Sequence, residues 1–595
     1  MATNNQVGVT THPKGLYVLF ATEMWERFSF YSMLSLFTLY LRDPISGFGW
    51  TATEATTLNA NYLMFVYASP LIGGLVADRI TGYRKAVMIG GFFFMAGHGL
   101  LSIQALWAVY SALVCLVIGN GFFKPNVSTM VGNLYPEGSH LKDRAYNIFY
   151  MGINVGAFAA PIVMQIVKST INVHAAFAVA AFGMLISVGT LWYFKQHVLS
   201  ADRKKGSRDA QQAADTAATA TDAPPHGVSD QDEGGHAKGA GGDAGRSADM
   251  LAVPNWKRVV ALLVIFAIVI VFWMVFHQNS STLTYFAEDN TSIPGTISQS
   301  INAMWVLALT FPLVWFWGWL DRKGKEPATP TKMAFGMTLT GLSFLVLWMA
   351  ASMGERAPKT PDQFASGAFR INERVATNLV AQGAPKDVVD KIMNAETPAP
   401  PAAPVEPGLW NSVKGFFAAK PEGKKIVSGV KFSASSEEDI KKADEENAKA
   451  GKPPLTEAEK ARMRSGQEKM IAAVNSVAPG FGDSHRAAIL DNAYLFHVSG
   501  FWLFLGYMIV TLGELMLSPM GLSLVSKVAP ISIRGLMMGG WFVATAIGNK
   551  LTQIGVYWDI WLQSSFFLVL ACMALFMAIV LAVLLKPLKR AMPGV

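Results

Sequence analysis

Charge is scarce in this chain of 595 residues, because only 15% of them are Asp, Glu, Lys or Arg while 52% are hydrophobic. Soluble globular chains carry roughly 25% charged residues. The composition therefore excludes a set of ordinary soluble domains and favours a polytopic membrane protein. The net charge of +8 requires no nucleic-acid partner, since basic loops at the cytoplasmic face of a membrane account for it.

Cysteine is nearly absent as well. Cys115 and Cys572 lie far apart, each inside an apolar run, which excludes a disulfide framework and gives no metal site. The chain also lacks the glycine-rich phosphate loop of nucleotide-driven pumps, so energy from a nucleotide is not expected. The sequence predicts neither an enzyme nor a cofactor.

Long apolar runs, in contrast, are abundant. Twelve reach the roughly 20 residues that cross a bilayer core as a helix. They cover residues 15–41, 52–78, 85–105, 107–133, 143–167, 172–195, 257–286, 298–320, 331–353, 492–528, 535–555 and 563–586. The predicted fold is all-α, with twelve transmembrane helices as two six-helix bundles. This layout is typical of secondary transporters, whose related halves share one substrate site.

The loops predict the orientation. Lys and Arg cluster after spans 2, 4, 6 and 8 and in the C-terminal segment KPLKR, whereas the loops after spans 3, 7 and 11 carry almost none. Both termini are therefore expected in the cytoplasm. Residues 1–14 are polar and the next apolar run is too long for a signal peptide, so the first span is expected to stay in the membrane.

Two long polar segments interrupt the spans. Residues 201–250 have no aromatic and almost no large aliphatic side chain, so 198–255 is predicted to be a disordered cytoplasmic linker. Residues 354–490 are expected outside the membrane as a few short helices, with capping boxes at Ser435/Glu438 and Thr456/Glu459. The predicted units are 1–197, 198–255, 256–353, 354–490 and 491–595.

Three charges interrupt the first span, in the segment ATEMWERFSFYSML at residues 21–34. Glu23, Glu26, Arg27, Phe30 and Tyr31 follow the i, i+3, i+4, i+7, i+8 spacing of one helix face. A charge at mid-membrane costs about 2.5–3.5 kcal/mol and usually lines a cavity or a pathway. This face is therefore expected to point into the bundle, although Arg27 also suits a purely structural helix–helix ion pair.

Other spans contain polar side chains too. These are Lys124 in span 4, Asn154 in span 5, His277 and Gln278 in span 7, and Glu514 in span 10. Buried charges must face one another, water or a substrate. All of these charges lie in the spans, so most of residues 360–485 are expected to be dispensable for transport. Three alternatives remain open: Lys124 reaching an interface, His277 as a core histidine, and Tyr67 and Trp541 as core rather than pocket wall.

These segments together resemble a known family. ATEMWERFSFY is similar to the ExxERFxYY motif of the proton-dependent oligopeptide transporters of the major facilitator superfamily, with Phe30 in place of the first tyrosine. The segments GGLVADRITGYRKAVMIGG, NGFFKPNVSTMVGNLY, FYMGINVGAF and GELMLSPMGLSLVSKVAP resemble other family segments. The resemblance covers nearly all membrane segments but neither 198–255 nor 354–490. It implies proton-coupled import of di- and tripeptides by alternating access. We expect a functional monomer in the cell membrane, which is the inner membrane if the bacterium is Gram-negative.

The resemblance also implies roles for single residues. Proton coupling falls to Glu23, Glu26 and Arg27 with Lys124 as their partner, and His277 is added to this set as a candidate proton carrier from its position in span 7. Substrate binding falls to Tyr31, Tyr67, Lys124, Asn154, Gln278, Glu514 and Trp541. Within that set, Glu514 is expected to receive the peptide amino terminus with help from Asn154. A dipeptide zwitterion needs an anionic and a cationic pole, which Glu514 with Arg27 or Lys124 supplies.

Three features depart from the family pattern. Leu34 stands where an arginine commonly binds the peptide carboxylate, His277 stands where an acidic residue usually precedes Gln278, and the linker lacks two extra helices found in many bacterial members. Peptides are therefore expected to bind weakly at neutral pH and more tightly towards about pH 5.5, through protonated His277.

A carrier of nitrate or another small anion stays open, as does a membrane receptor that senses through 354–490. A channel is disfavoured, because the charges cluster at single levels.

Overall fold

The computed structural model describes residues 11–135, 141–202, 252–397, 425–449, 453–530 and 533–593. The predicted disordered linker lies almost entirely outside these residues. Within them, the long helices follow the predicted spans.

The first ten helices are α1 (Lys14–Arg42), α2 (Ala52–Val76), α3 (Tyr83–Leu101), α4 (Leu106–Asn133), α5 (Leu141–Thr170), α6 (Val173–Tyr193), α7 (Asn255–Phe276), α8 (Thr282–Asn290), α9 (Gly295–Arg322) and α10 (Thr329–Arg356). The next eight are short: α11 (Pro361–Ser366), α12 (Glu373–Ala381), α13 (Lys386–Met393), α14 (Glu437–Lys449), α15 (Glu457–Met463), α16 (Gly466–Val477), α17 (Phe481–Ser484) and α18 (Arg486–Ala493). The last three are α19 (Gly500–Val528), α20 (Arg534–Leu551) and α21 (Gln563–Ala591).

Nine helical segments of the described chain are long and apolar enough to cross a membrane. The helices at predicted spans 1, 3 and 11 fall outside this set. Each carries charge: α1 holds the cluster around Arg27, α3 holds Arg84 and Lys85, and α20 holds Arg534 and Lys550. The multi-pass helical architecture is observed, and the count of twelve spans stays a prediction.

The membrane helices pack around two apolar cores. Helices α1–α6, here called the N-terminal bundle, enclose a core that includes the fully buried Phe37 and Phe123. Helices α7–α10 and α19–α21, the C-terminal bundle, enclose a core that includes Phe272 and Phe566. Burial of large aromatic side chains on the inner face of each bundle stabilises it as a separate packing unit.

Reciprocal glycine contacts join equivalent helix pairs in the two bundles. A Cβ on Gly90 of α3 would lie 2.7 Å from the carbonyl oxygen of Gly119 on α4. A Cβ on Gly336 of α10 would lie 2.7 Å from the carbonyl oxygen of Gly513 on α19. Small residues let membrane helices approach closely. The same close glycine contact occurs between spans 3 and 4 and between spans 9 and 10, as expected if the two halves are structural repeats.

The described residues between 357 and 499 (357–397, 425–449 and 453–499), here called the insert, form a separate small unit with its own core, built around Phe369, Val375 and Ile489. Strands β1 (Ala368–Arg370), β2 (Lys431–Phe432) and β3 (Tyr494–Leu495) make an antiparallel sheet in the order β2-β1-β3. The sequence predicted only short helices here. Strands of two or three residues are too short to show the alternation that identifies a strand.

Two boundaries of the insert differ from the prediction. Helix α19 begins at Gly500 rather than at 492, because the apolar residues before it form β3 and place Phe496 against Gly354. The cap of α14 lies one residue later than predicted, where the Asp439 amide donates to Ser436 Oγ (3.1 Å). The capping box of Thr456 and Glu459 is confirmed.

The glycine contact generates a test within one helix. Gly90→Ala is expected to lower the melting temperature, since overpacking a close contact costs about 1–3 kcal/mol. Gly99→Ala is the matched control, because a Cβ on this second glycine of α3 meets nothing within 4 Å. Thermal melting of the purified variants measures both. Equal melting temperatures would show that the α3–α4 contact tolerates a methyl group.

Candidate functional site

The charges of the first span form one compact cluster on α1. Arg27 Nη2 donates to Glu26 Oε1 (2.6 Å), Arg27 Nε donates to Glu26 Oε2, and Arg27 Nε lies 3.3 Å from Glu23 Oε1. All three residues are at most 4% exposed. The predicted inward face is observed. Both carboxylates lie on the same helix as Arg27, so the pair is not a staple between two helices.

Lys124 approaches this cluster from α4. Pro125 lacks the amide that would bond to the Gly121 carbonyl, and α2 packs against this carbonyl with Gly73, where a Cβ would lie only 1.9 Å away. This close crossing brings Lys124 Nζ to 4.9 Å from the centroid of the Tyr67 ring on α2. Lys124 also lies within electrostatic range of Glu23 and Glu26, so it faces the bundle rather than an interface.

Glu514 belongs to the other bundle. Its Oε2 accepts a hydrogen bond from Asn302 Nδ2 on α9 (3.2 Å), and the same amide donates to Thr511 Oγ1 (2.9 Å). Tyr31 and Tyr67 of the N-terminal bundle lie within electrostatic range of Glu514. This carboxylate therefore faces the N-terminal bundle across the interface.

Asn154 lies near the same region, next to Tyr150, a residue that was not predicted from the sequence. Asn154 Nδ2 donates to the Tyr150 carbonyl (2.9 Å), and its side chain lies beside the Tyr150 hydroxyl. Tyr150 in turn lies within electrostatic range of Glu514. Tyr150, Asn302 and Thr511 are thus site residues that were missed. The criterion that identified Asn154, a polar side chain inside an apolar span, would also have found Asn302.

Gln278 has a structural position that differs from the predicted one. Helix α7 stops at Phe276, a 3₁₀ turn covers His277–Ser280, and α8 follows. Gln278 is fully buried, and its Nε2 donates to the carbonyls of Met274 and Thr552 (3.2 Å each). Interrupted membrane helices need such partners for their freed carbonyls. The amide is therefore engaged in the fold and not presented to a substrate.

His277 and Trp541 are also packed as core residues. The His277 ring stacks on Trp273 at 4.9 Å between centroids and lies 5.6 Å from the Tyr67 ring, and His277 is only 9% exposed. Trp541 is 3% exposed and fills the space left by Gly521, where a Cβ would lie 1.8 Å from the indole. These positions favour the core alternatives over a proton carrier and a pocket wall.

The structure places the candidate side chains in two groups, one in each bundle, with cations in the first and a carboxylate bound to a neutral amide in the second. The N-terminal bundle contributes Arg27 and Lys124, held near two carboxylates, and the C-terminal bundle contributes Glu514 with a neutral amide partner. Tyr31 and Tyr67 lie between them and, like Lys124 and Glu514, are only half-buried. The arrangement suits a small zwitterion. In the described part of the chain, no group of three or more His, Cys, Asp or Glu side chains is arranged to hold a metal ion.

Buried charge joins the two bundles at the end that carries the insert. Arg42 Nη2 lies 3.7 Å from Asp559 Oδ1, and both side chains are 8% exposed. The Ala52 amide donates to Asp559 Oδ2 (3.0 Å), and the Arg42 guanidinium lies 4.1 Å from the centroid of the Tyr285 ring. Access to the site is therefore closed at the insert end.

The chain matches one protein family and several known transporters. A protein-family model described as the POT family matches residues 84–226, 240–384 and 470–557. An uncharacterized transporter of Bacillus subtilis is 30% identical over 398 residues, which are 60% of this chain and 77% of that protein. A peptide transporter of Yersinia enterocolitica is 26% identical over 612 residues, covering 99% of this chain and 98% of that protein. A di-/tripeptide transporter of Lactococcus lactis is 24% identical over 591 residues, covering 98% and 97%.

Solved structures show the same fold. The crystal structure of a POT peptide transporter in complex with sulfate has a TM-score of 0.63 and 23% identity, covering 99% of this chain and 97% of that one. A POT family transporter in complex with 5-aminolevulinic acid has a TM-score of 0.62 and 22% identity, covering 98% of each. The likeness confirms the all-α, major-facilitator-type membrane fold.

The packing of His277 leads to a prediction that opposes the one from its sequence position. His277→Gln is expected to keep the full pH dependence of dipeptide binding, because the ring is buried among aromatic side chains. Dipeptide affinity measured from about pH 7.5 to 5.5 in the variant and the unaltered protein tests this. A variant whose affinity no longer changes with pH would restore His277 as the titrating group.

Proposed function

Because the chain belongs to the POT family of membrane transporters, we propose that it is a proton-coupled symporter that imports di- and tripeptides by alternating access. The full-length relatives of Yersinia enterocolitica and Lactococcus lactis are described as peptide and di-/tripeptide transporters. The chain itself is a multi-pass helical membrane protein.

One observation carries the peptide assignment, which is the placement of opposite charges on opposite bundles. Glu514 is the anionic pole and suits the ammonium group of a peptide. Arg27 and Lys124 are the cationic pole and suit its carboxylate, since hydrogen bonds between charged groups are roughly twice as strong as neutral ones. Tyr31 and Tyr67, at half-buried positions between the poles, suit the peptide backbone. A bound peptide would bridge the two bundles.

Competition for Arg27 between the carboxylates of α1 and the carboxylate of a substrate supports the proposed proton coupling. With Glu23 and Glu26 ionised, the guanidinium is held at 3.3 Å and 2.6 Å by its own helix. A proton on either carboxylate weakens that hold, because the ion pair loses one of its charges. Arg27 then becomes free to bind a substrate carboxylate. Proton and peptide would in this way load the same conformation.

The gradient supplies sufficient energy for this role. A proton crossing about 100 mV releases about 2.3 kcal/mol, and one pH unit adds about 1.4 kcal/mol. A total near 3.7 kcal/mol permits roughly 500-fold accumulation of a neutral zwitterion, because each 1.4 kcal/mol is about tenfold.

The remaining parts of the proposal concern topology. The two bundles rock against each other as the moving units, joined by 198–255, and the protein acts as a monomer in the cell membrane. The positive loops support cytoplasmic termini. The insert then faces outward, and the closed end of the site is the outer end.

Substrate class is tested first by a thermal-shift screen on the purified protein with dipeptides, tripeptides, amino acids and nitrate. Stabilisation by di- and tripeptides is expected. Stabilisation by nitrate alone would favour the anion carrier. Counterflow of labelled peptide in liposomes then separates a carrier from a receptor, which binds without exchange.

Glu514→Gln is expected to lower uptake of dipeptides with a free amino terminus by roughly 10- to 150-fold, the value of one charged hydrogen bond. Uptake of amino-blocked analogues should change much less, because they carry no ammonium group. Competition uptake with both ligand types measures the difference. The control is Glu457→Gln, on an insert helix, where the carboxylate is exposed. Equal losses for both ligand types would exclude a role for Glu514 at the amino terminus.

Glu23→Gln and Glu26→Gln are each expected to abolish accumulation driven by an acidic exterior and to retain part of the gradient-independent exchange. Each substitution removes one of the two carboxylates that compete for Arg27. Liposomes with and without a pH gradient separate the two activities. Full acid-driven accumulation in both single variants would mean that the protons are carried elsewhere.

A further inference from the structure

The insert is attached to the C-terminal bundle by buried charge. Asp289, in the last turn of α8, is 7% exposed. Its carboxylate pairs with Arg370 Nη1 and lies 3.7 Å from Lys431 Nζ, and both cations belong to the insert. Lys431 Nζ also donates to the Glu288 carbonyl (2.6 Å). Removing one partner of a buried ion pair is strongly destabilising. The insert is therefore anchored, which argues against the expectation that it is dispensable.

The connections of the chain strengthen this attachment. The insert follows α10 directly and leads directly into α19, so both of its ends belong to the C-terminal bundle. Near the second end, the Val498 amide donates to the Asn290 carbonyl (2.8 Å), and Asn290 Nδ2 donates to the Phe496 carbonyl (2.9 Å). Covalent, ionic and hydrogen-bonded contacts all hold the insert to one bundle.

The insert meets the N-terminal bundle in a different way. Gly49 lies in the loop between α1 and α2, and a Cβ on it would be 3.6 Å from the Cβ of Lys425 in the insert. The Gly49 carbonyl oxygen lies 3.9 Å from the position of a Cβ on Gly429. These are ordinary van der Waals contacts, which separate without leaving a charge or a donor unpaired.

A polar contact brings the insert to the closed outer end as well. Asn372 Nδ2 lies 3.5 Å from Asp559 Oδ1, the same oxygen that pairs with Arg42 of the N-terminal bundle. Asp559 is thus shared between the insert and both bundles. Separation of the bundles at this end would break the Arg42 pair, whereas the Asn372 contact joins the insert to the C-terminal bundle.

From this asymmetry we propose that the insert moves as one body with the C-terminal bundle and is part of the outer gate. Its 425–429 segment rests on the α1–α2 loop when the gate is closed and separates from it whenever the site opens to the outside. The inference rests on the proposed alternating-access function. It assigns the insert a role in the transport cycle, which is to favour the outward-closed conformation.

A disulfide across the contact tests the separation. A Cβ at position 49 would lie 3.6 Å from the Cβ of Lys425. This distance is within the range of about 3.5–4.5 Å that disulfides require. Gly49→Cys with Lys425→Cys, in a chain whose Cys115 and Cys572 are replaced by alanine, is expected to cross-link under oxidation. Peptide uptake should then fall at least tenfold and recover on reduction. Each single variant should keep its uptake under the same oxidant, which also checks the strain at Gly49, where φ is +64°.

The matched control is a disulfide inside the insert. Ala368 and Leu495 are paired residues on β1 and β3, and Ala368→Cys with Leu495→Cys should leave uptake unchanged when oxidised. A cross-linked Gly49/Lys425 pair with full uptake would overturn the gate role and leave the proposed function intact. If the unaltered protein transports no peptide, the proposed function fails, and the cross-link yield still reports the contact.

A second measurement avoids the strained glycine. Thr56 of α2 is fully buried, with its Oγ1 3.3 Å from the Tyr285 hydroxyl across the bundle interface. In a Thr56→Cys background, Arg370→Gln is expected to raise labelling by a membrane-impermeant maleimide at least threefold, because the loosened insert favours opening. Lys359→Gln, which loses a pair with Asp491 inside the insert, should not change the rate. Equal labelling in all three proteins would overturn the proposal.

Discussion

The constraint on which the structure depends is that a charge inside the membrane must be neutralised nearby. Arg27 pairs with two carboxylates of its own helix, and Lys124 of α4 supplies the second positive charge that balances them. Glu514 is different, because the partner observed for its carboxylate is the neutral amide of Asn302. A half-buried carboxylate inside the membrane whose observed partner is neutral can bind an incoming cation. The charges of the N-terminal cluster are therefore paired with one another, whereas the Glu514 carboxylate of the C-terminal bundle can bind an incoming cation.

The fold places these groups at one level by close helix crossings. The Gly73–Gly121 approach brings Lys124 to Tyr67, and the Gly336–Gly513 approach fixes α19, which carries Glu514. Each crossing lies inside a bundle, whereas Asp559 carries a buried ion pair and a hydrogen bond between the bundles. Close glycine contacts thus fix the helices within a bundle, and the contacts between the bundles include polar pairs.

Much of this was predictable from sequence, because helices in a bilayer leave a strong signal. Long apolar runs give the helices, and Glu23, Glu26 and Arg27 identify their shared face by spacing alone. Sequence does not show what a side chain touches, and this limits the assignment of single residues. Substrate binding by Gln278 stays a prediction, but its amide is engaged at the break between α7 and α8, which the apolar run of span 7 does not show. The assignment of Trp541 to a pocket also stays a prediction, and its contact with Gly521 on another helix favours the core alternative. The insert sheet was missed because its strands are too short to show a period.

The bridge made by Gln278 has a mechanical consequence. One amide binds carbonyl groups at the end of α7 and at Thr552, which begins the 3₁₀ segment after α20. The two irregular stretches are therefore tied at a common point and cannot flex independently without losing a buried hydrogen bond. Thr552–Asp559 leads to the aspartate that pairs with Arg42, and α8 leads to the aspartate that holds the insert. The hydrogen bond of Gln278 thus connects the chain segment that carries Asp559 to the helix break that precedes Asp289.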